Sequence, residues 1–159
     1  MPAIEITHHC RVEHCIPKLQ SETKEDVISE LVDSLVASGA IEEEQAAELI
    51  GEILAREEEG TTGIGKGVAL PHARASEVVP ETLIAVGLHA DGVDFDATDG
   101  APVHVVFMIA SADPDEYLGV AGRIARVARD TVEMKALQRQ TTAKSIHKFL
   151  EESWSPANA

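Results

Sequence analysis

The chain has 159 residues, of which 44% are hydrophobic, enough for one domain with a core that needs neither disulfides nor metal ions. Its 28 acidic residues outnumber the 13 basic ones, and the formal charge of −15 argues against nucleic acid and anionic membrane surfaces as partners. We expect a cytoplasmic protein, because no apolar run approaches the roughly 20 residues that span a bilayer, no signal peptide pattern is present and the cysteines are few.

Potential metal ligands are concentrated near the N-terminus, at His8, His9, Cys10, His14 and Cys15. Imidazole and thiol groups are common zinc ligands, but structural zinc sites usually add a second ligand pair further along the chain, and none follows here. We therefore predict no native metal site and interpret the segment as a surface turn leading into a strand near residues 14–19. A zinc-binding regulator is a third and weaker hypothesis.

Two amphipathic helices are predicted next. Ser21 or Thr23 can cap the first, whose apolar residues recur at helical spacing, and Gly39 is placed to end it. The second begins near Glu42, with acidic residues in its first turn, where the helix dipole favours them, and it ends near Glu58.

The segment 61–74 reads T-T-G-I-G-K-G-V-A-L-P-H-A-R. Its glycines predict a loop that leaves backbone amides open to an anion, and the apolar run after them predicts a short strand. Pro71 cannot donate to a ladder and so places His72 at a strand end, where α/β folds carry chemistry. The glycine spacing and order fit neither a P-loop nor a dinucleotide fingerprint. From the residues alone, a tight turn with a structural histidine is as good an interpretation as a reactive site.

Two strands and a helix are predicted after this segment. Residues 83–88 and 102–110 read as buried strands rich in Val, Ile and Phe. Asp113 can cap the helix, with Pro114 in the first turn and Glu116 placed to close a capping box. The apolar residues along this helix are Leu118, Ala121, Ile124 and Val127.

The C-terminal part of the chain fits two more short helices. They occupy residues 131–153 with a break near Thr141, and residues 154–159 read as a frayed tail.

The segment 61–74 closely resembles the active-site signature of the type-2 enzyme IIA domains of the phosphoenolpyruvate-dependent phosphotransferase system, the fructose, mannitol and nitrogen-regulatory class. The resemblance extends to R-E-E-E-G before the segment and D-F-D-A-T-D-G-A-P-V-H-V-V-F after it. It implies a single-domain α/β fold, with a mixed central β-sheet flanked by helices on both faces. The domain would span residues 1–159, with a core over about 13–152 and tails at both ends.

The resemblance also implies the residues of the site. In this family the histidine after the proline accepts a phosphoryl group from the phosphocarrier HPr, which makes His72 the expected phosphorylated residue. Arg56 matches an arginine that lines the family's site, although a surface role at a helix end is the simpler interpretation from the residues alone. Thr61 and Thr62 are suitable in type to stabilise a near-metaphosphate transition state, and Arg74 fits that role or a surface role. The chemistry requires no metal, ATP or other cofactor.

Tyr117 marks the main departure from the family pattern. Many members carry a second histidine near the start of this helix, facing the phosphorylated one, and here Tyr117 stands at the corresponding position. A tyrosine can donate a hydrogen bond, but it cannot supply a second imidazole that titrates near neutral pH. A packing aromatic and a site residue are nearly equal interpretations.

The resemblance implies a phosphohistidine phosphocarrier, a histidine phosphotransferase component. It would accept phosphate from HPr or from a nitrogen-branch HPr paralogue, and pass it to an enzyme IIB domain or use its phosphorylation state to regulate a partner protein. Because no transporter segment or IIB-like domain is attached, we expect a free-standing regulatory, nitrogen-type protein or a fructose-type IIA protein. The alternative, suggested by Tyr117, is a binding module that keeps the fold without transferring phosphate.

Overall fold

The computed structural model describes residues 6–153, so the predicted tail at 154–159 lies outside the described residues. The helices are α1 Lys24–Ala37, α2 Glu43–Glu59, α3 Pro114–Ala128, α4 Thr131–Gln138 and α5 Ala143–Ser153. The strands are β1 Cys15–Ile16, β2 Gly63–Gly65, β3 Val68–Ala69, β4 His72–Ala73, β5 Leu83–Val93 and β6 Val103–Ala110. Short 3-10 helices occupy Ile6–His8 and Val12–His14.

The strands form one mixed sheet in the order β1-β5-β6-β3-β2, with β4 also pairing with β6. The central strands β5 and β6 are antiparallel, whereas β1 pairs with β5 and both β3 and β4 pair with β6 in parallel. The two short strands β3 and β4 therefore follow one another along the same edge of β6. This arrangement confirms the predicted mixed central sheet.

Helices cover both faces of the sheet. Ala85 and Met108 contribute to a core shared with α1 and α2, whereas Ile84 and Phe107 contribute to a second core shared with α3, α4 and α5. Because residues 83–88 of β5 and nearly all of β6 are buried on both faces, these stretches are almost continuously apolar. The predicted α/β fold with helices on both faces is confirmed. None of the helices within residues 6–153 is long and apolar enough to cross a bilayer.

The predicted N-terminal cap of α1 is confirmed, and the predicted capping box of α3 is wrong. The amide of Asp26 donates to Thr23 Oγ1 over 3.2 Å at the start of α1. Asp113 caps α3, but its own amide donates to the Ser111 hydroxyl rather than to Glu116. The Glu116 carboxylate instead accepts the hydroxyl proton of Thr82. A contact with a distant segment therefore replaces the local partner that the sequence suggested for Glu116.

The strand predicted near residues 14–19 is confirmed as β1, but the segment before it is only partly at the surface, since His8 and Arg11 are exposed whereas Cys10 and His14 are not. Cys10 and His14 are fully buried because the 3-10 helices pack between α5 and the sheet. Cys10 Sγ lies 3.7 Å from Cys15 Sγ, whereas His14 Nε2 lies 2.6 Å from the Ser38 hydroxyl, so thiols and imidazole have different partners. Within residues 6–153 no group of three or more His, Cys, Asp or Glu side chains is placed to hold a metal ion.

Burial of His14 gives an expected dependence of stability on pH. Burial lowers the pKa of His14 from 6.5 to about 4, so between these values the unfolded chain binds a proton that the folded chain does not. The stability from this residue is complete above pH 6.5 and is lost as the pH falls toward 4. The expected loss between pH 7 and pH 5 is about 2 kcal/mol.

Urea unfolding of wild type and His14→Gln at pH 7 and pH 5 measures this loss. We expect the variant to be less stable at pH 7, but to lose about 2 kcal/mol less than wild type on acidification. His72 contributes a loss of the same sign in both proteins, because its pKa is also lowered. Equal losses in the two proteins would rule out His14 as the source.

The glycine-rich segment forms a β-hairpin, which corrects the prediction of a loop with open amides. β2 and β3 pair around a turn in which Gly65, Lys66 and Gly67 have positive φ values of 95°, 57° and 80°. The Lys66 amide donates to Asp99 Oδ2 over 2.9 Å, so it is not open to an anion. Lys66 precedes His72 by six residues along an extended edge, a span of roughly 20 Å. The amides at the turn are therefore too far away to serve a phosphoryl group on His72.

Candidate active site

His72 is positioned by the break between β3 and β4. The Pro71 carbonyl accepts the Ile109 amide over 3.1 Å, and His72 then begins β4 in register with Ile109. His72 is 8% exposed, so it is less accessible than a residue at an open strand end, which is where the sequence placed it. The imidazole is buried because α2 and α3 supply side chains on either side of it.

The two ring nitrogens of His72 have different environments. Nδ1 lies 2.9 Å from the carbonyl oxygen of Leu70, and a carbonyl can only accept, so Nδ1 carries the proton. Nε2 therefore has the lone pair, and it has no hydrogen-bonding partner within residues 6–153. This tautomer presents Nε2 as the nucleophilic nitrogen.

The surroundings keep the imidazole of His72 neutral. Burial lowers the pKa of His72, and the positive charges of Arg56 and Arg74 lower it further. The hydrogen bond to Leu70 and the negative charge of Glu57 act in the opposite direction but do not reverse the shift. At pH 7 the ring is neutral and can attack an electrophile.

The ring of Tyr117 faces the ring of His72, with centroids 4.8 Å apart and planes tilted by 32°. Tyr117 is 9% exposed, and its hydroxyl has no hydrogen-bonding partner within the described part of the chain. Burial raises the pKa of Tyr117, so the phenol stays protonated at neutral pH. The structure thus places Tyr117 opposite His72, the position that the resemblance implied for a site residue and that left packing as an equal interpretation.

Two arginines lie beside His72. Arg56 belongs to the last turn of α2, and its Nη1 donates to the Gly60 carbonyl over 2.8 Å. Arg74 follows β4 directly. Both side chains line a cavity of about 190 Å³ together with His72. Guanidinium groups bind phosphoryl oxygens through paired hydrogen bonds, so this is a place where a phosphoryl group could be held.

Thr61 and Thr62 line a second cavity beside His72, but their hydroxyl groups are engaged in the fold. The Thr61 hydroxyl donates to the Phe95 carbonyl and accepts the Gly63 amide. The Thr62 hydroxyl and amide both donate to the carboxylate of Glu57. Both threonines therefore hold in place the segment of chain that leads into the β2–β3 hairpin.

Glu57 is a site-supporting residue that sequence reasoning missed. Its side chain is buried, it accepts from Thr62, and its carboxylate lies 3.5 Å from Lys24 Nζ. The sequence carried a signal, because three consecutive glutamates at the C-terminal end of α2 oppose the helix dipole and need another reason to be there. Glu57 ties α2 to the strand that leads to His72.

The second cavity is largely apolar and has a volume of about 370 Å³. Its rim includes Ile64, which is 44% exposed, and Leu118, which is 63% exposed. Leu118 therefore departs from the apolar pattern assigned to α3, because it points to solvent beside His72 rather than into the core. An exposed apolar rim around a reactive side chain is typical of a surface that receives another protein.

The sequence matches the family described as "Phosphoenolpyruvate-dependent sugar phosphotransferase system, EIIA 2" over residues 8–153. The fructose-specific EIIABC component of this system from Bacillus subtilis is 43% identical over 95 residues. That alignment covers 60% of this chain and 14% of the relative, so the chain spans a small part of that protein's length.

Solved structures agree on the fold. The nitrogen regulatory protein IIA-Ntr from Neisseria meningitidis superposes with a TM-score of 0.80 at 24% identity, covering 91% of this chain and 98% of that one. Enzyme IIAMtl from Escherichia coli, in its complex with phosphorylated enzyme IIBMtl, gives a TM-score of 0.72 at 23% identity. The superposition covers 87% of this chain and 94% of that one. The chain therefore belongs to the EIIA type 2 family of the phosphoenolpyruvate-dependent sugar phosphotransferase system.

Proposed function

We propose that this protein is a phosphohistidine phosphocarrier whose reactive atom is Nε2 of His72. The observation that carries the proposal is the geometry of that ring. Nδ1 is fixed as a donor to the Leu70 carbonyl, Nε2 has no hydrogen-bonding partner among the described residues, and two guanidinium groups line the adjoining cavity. A neutral imidazole with a free nitrogen next to fixed cations has the parts that phosphoryl transfer needs.

The proposed transfer step needs no cofactor. Nε2 of His72 attacks the phosphorus of a phosphohistidine on the donor protein, and the bond between that phosphorus and the donor's nitrogen breaks. The donor ring keeps the electron pair of the broken bond and leaves as a neutral imidazole that retains its own ring proton. The His72 ring gains positive character as its new bond forms, and the Leu70 carbonyl stabilises the proton that stays on Nδ1.

Arg56 is the main residue that stabilises the negative charge of the transferring phosphoryl group. Its guanidinium lines both cavities beside His72, so it can follow the phosphoryl group as the group moves. The hydroxyls of Thr61 and Thr62 contribute only if they exchange their present partners, Phe95 and Glu57. We therefore rank Arg56 above both threonines as a phosphoryl-binding residue.

The phosphoryl donor we propose is HPr or a nitrogen-branch HPr paralogue. The acceptor is an enzyme IIB domain or a protein that the phosphorylation state regulates, and transfer takes place in the cytoplasm. Fructose-type transport and nitrogen-type regulation both agree with the comparisons, because the relatives include a fructose-specific component and a nitrogen regulatory protein. The apolar rim at Ile64 and Leu118 supports a protein partner rather than a small molecule.

Incubation with phosphoenolpyruvate, enzyme I and HPr, followed by intact mass measurement, tests the proposal. We expect the protein to gain one phosphoryl group that acid removes, because phosphohistidine is acid-labile. A parallel reaction with the nitrogen-branch paralogue in place of HPr identifies the donor. No gain with either donor would favour the alternative, a binding module that keeps the fold without carrying phosphate, for which Tyr117 in place of a second histidine is the supporting observation.

Tyr117 gives a further expected result, because its ring faces His72 and its hydroxyl has no hydrogen-bonding partner in the part of the chain that the structure describes. Tyr117→Phe keeps the ring and removes only the hydroxyl, so we expect transfer to slow about fivefold if the phenol donates to the phosphoryl group. Tyr117→His should add an ionisation near pH 6 to 7 to the rate profile, roughly where imidazole titrates. Single-turnover transfer from phosphorylated HPr across pH 5.5 to 8.5 measures both effects. Unchanged rates and profiles in both variants would mean that Tyr117 only packs.

A further inference from the structure

Arg74 is a cation beside the reactive histidine, and the sequence left open whether it stabilises a phosphoryl group or has only a surface role. It follows the two-residue strand β4, so its backbone is fixed by the same pairing with β6 that fixes His72. Its side chain is exposed and forms no hydrogen bond or ion pair with another of the residues 6–153. A guanidinium with no hydrogen bond or ion pair among these residues is available to a ligand.

The two sides of the His72 ring are chemically different. The cavity of about 190 Å³ is lined by both arginines, and the cavity of about 370 Å³ is lined by Tyr117 and the apolar part of α3. His72 and Arg56 line both cavities, whereas Arg74 lines only the first. Arg74 therefore adds a second positive charge on one side of the ring.

Other charges also line the first cavity. Glu52 and Glu59 contribute carboxylates to its wall, and Glu52 accepts the Ser76 hydroxyl over 2.6 Å. With Arg56 alone, a doubly negative phosphoryl group would face more negative than positive charge. Arg74 balances the count of cations and carboxylates that line this cavity, and so makes binding of an anion there more favourable.

The electrostatic effect of Arg74 on His72 supports this picture. Its positive charge lowers the pKa of His72 and that of Tyr117, so its field reaches both rings. A field that disfavours a proton on the imidazole favours a negatively charged group attached to it.

We propose that Arg74, together with Arg56, binds the oxygens of the phosphoryl group on His72 and so stabilises the phosphorylated state. This role rests on the proposed phosphocarrier function. Arg56 reaches both sides of the ring and acts during transfer, whereas Arg74 acts on the product that remains. Loss of Arg74 therefore shifts the equilibrium between the phosphorylated protein and its donor more than it slows the forward step.

The experiment measures the equilibrium of phosphoryl exchange with HPr, from the phosphorylated fractions of both proteins in intact mass spectra. We expect Arg74→Gln to lower the equilibrium constant about fivefold to tenfold, as for loss of a charge-assisted hydrogen bond. We expect the equilibrium constant of Arg74→Lys to lie close to that of wild type, because lysine keeps the positive charge at this exposed position. Arg139→Gln is the matched control, since Arg139 is an exposed arginine at the end of α4, and it leaves the constant unchanged. A constant for Arg74→Gln equal to that of wild type overturns the role.

A second measurement separates this inference from the proposed function. Wild-type protein that is never phosphorylated would refute the phosphocarrier function by itself. Titration with inorganic phosphate, followed by the ring signals of His72 in NMR spectra, tests Arg74 independently of transfer. We expect Arg74→Gln to weaken phosphate binding severalfold and Arg139→Gln to leave it unchanged. The absence of any response in wild type, or equal affinity in wild type and Arg74→Gln, contradicts the proposed role of Arg74.

Discussion

Replacement of His72 by glutamine is expected to abolish acid-labile phosphorylation while the protein remains folded. The substitution removes the nucleophilic Nε2, and no other residue can replace it as the acceptor at this position. Glutamine suits this test better than alanine, because His72 is only 8% exposed and alanine would leave a cavity. The glutamine amide can also donate to the Leu70 carbonyl that Nδ1 of His72 uses now.

Intact mass after incubation with phosphoenolpyruvate, enzyme I and HPr measures the loss, and circular dichroism checks the fold. His104→Gln is the control, because His104 lies on the neighbouring strand β6 and its Nδ1 donates to the His89 carbonyl over 3.0 Å. We expect this control to be labelled as fully as wild type. Full labelling of His72→Gln would show that the phosphoryl group resides elsewhere.

Arg56→Lys is expected to slow phosphoryl transfer about tenfold or more, which corresponds to about 1.4 kcal/mol in the barrier. Arg56 donates to the Gly60 carbonyl with Nη1 and still has donors for phosphoryl oxygens. A lysine ammonium keeps the charge but cannot donate in both directions with the fixed geometry of a guanidinium. The effect is therefore expected on the rate rather than on the fold.

Rapid-quench measurement of transfer from phosphorylated HPr, in both directions, tests Arg56. Arg126→Lys is a suitable control, because Arg126 is exposed on α3 and lines neither cavity beside His72. Forward and reverse rates equal to those of wild type would return Arg56 to the role that the residues alone suggested, a cation at the C-terminal end of a helix.

Sequence patterns predicted helices and strands correctly where interactions between residues close in sequence determine them. The amphipathic spacing of α1, the Thr23 cap and the helix end at Gly39 depend on neighbours within a few residues, and all three predictions are confirmed. The short strand predicted after the glycines is confirmed as β3, but the predicted loop with open amides is wrong, because the hairpin depends on Asp99 and on pairing with β6, both distant in sequence. The same reason explains Glu116, whose partner is Thr82 rather than the first turn of its own helix.

The candidate site was predictable from the sequence only in part. Periodicity and turn signals placed His72 near a strand end, but its buried environment between α2 and α3 arises from packing that no local pattern contains. The resemblance supplied Arg56 and the position of Tyr117 opposite His72. Glu57 was missed because its carboxylate serves Thr62 and Lys24, and burial of a glutamate at a helix end is visible only in three dimensions.

The nitrogen that carries the phosphoryl group tests the central claim most directly. Protein with ¹⁵N-labelled histidine, phosphorylated through enzyme I and HPr, gives long-range ¹H–¹⁵N correlations that distinguish the two ring nitrogens of each histidine. Because Nδ1 of His72 is held by the Leu70 carbonyl, we expect the phosphoryl group on Nε2 of His72, with Nδ1 still bearing its proton at or below neutral pH. A phosphoryl group on Nδ1, on another histidine, or on no histidine would contradict the mechanism.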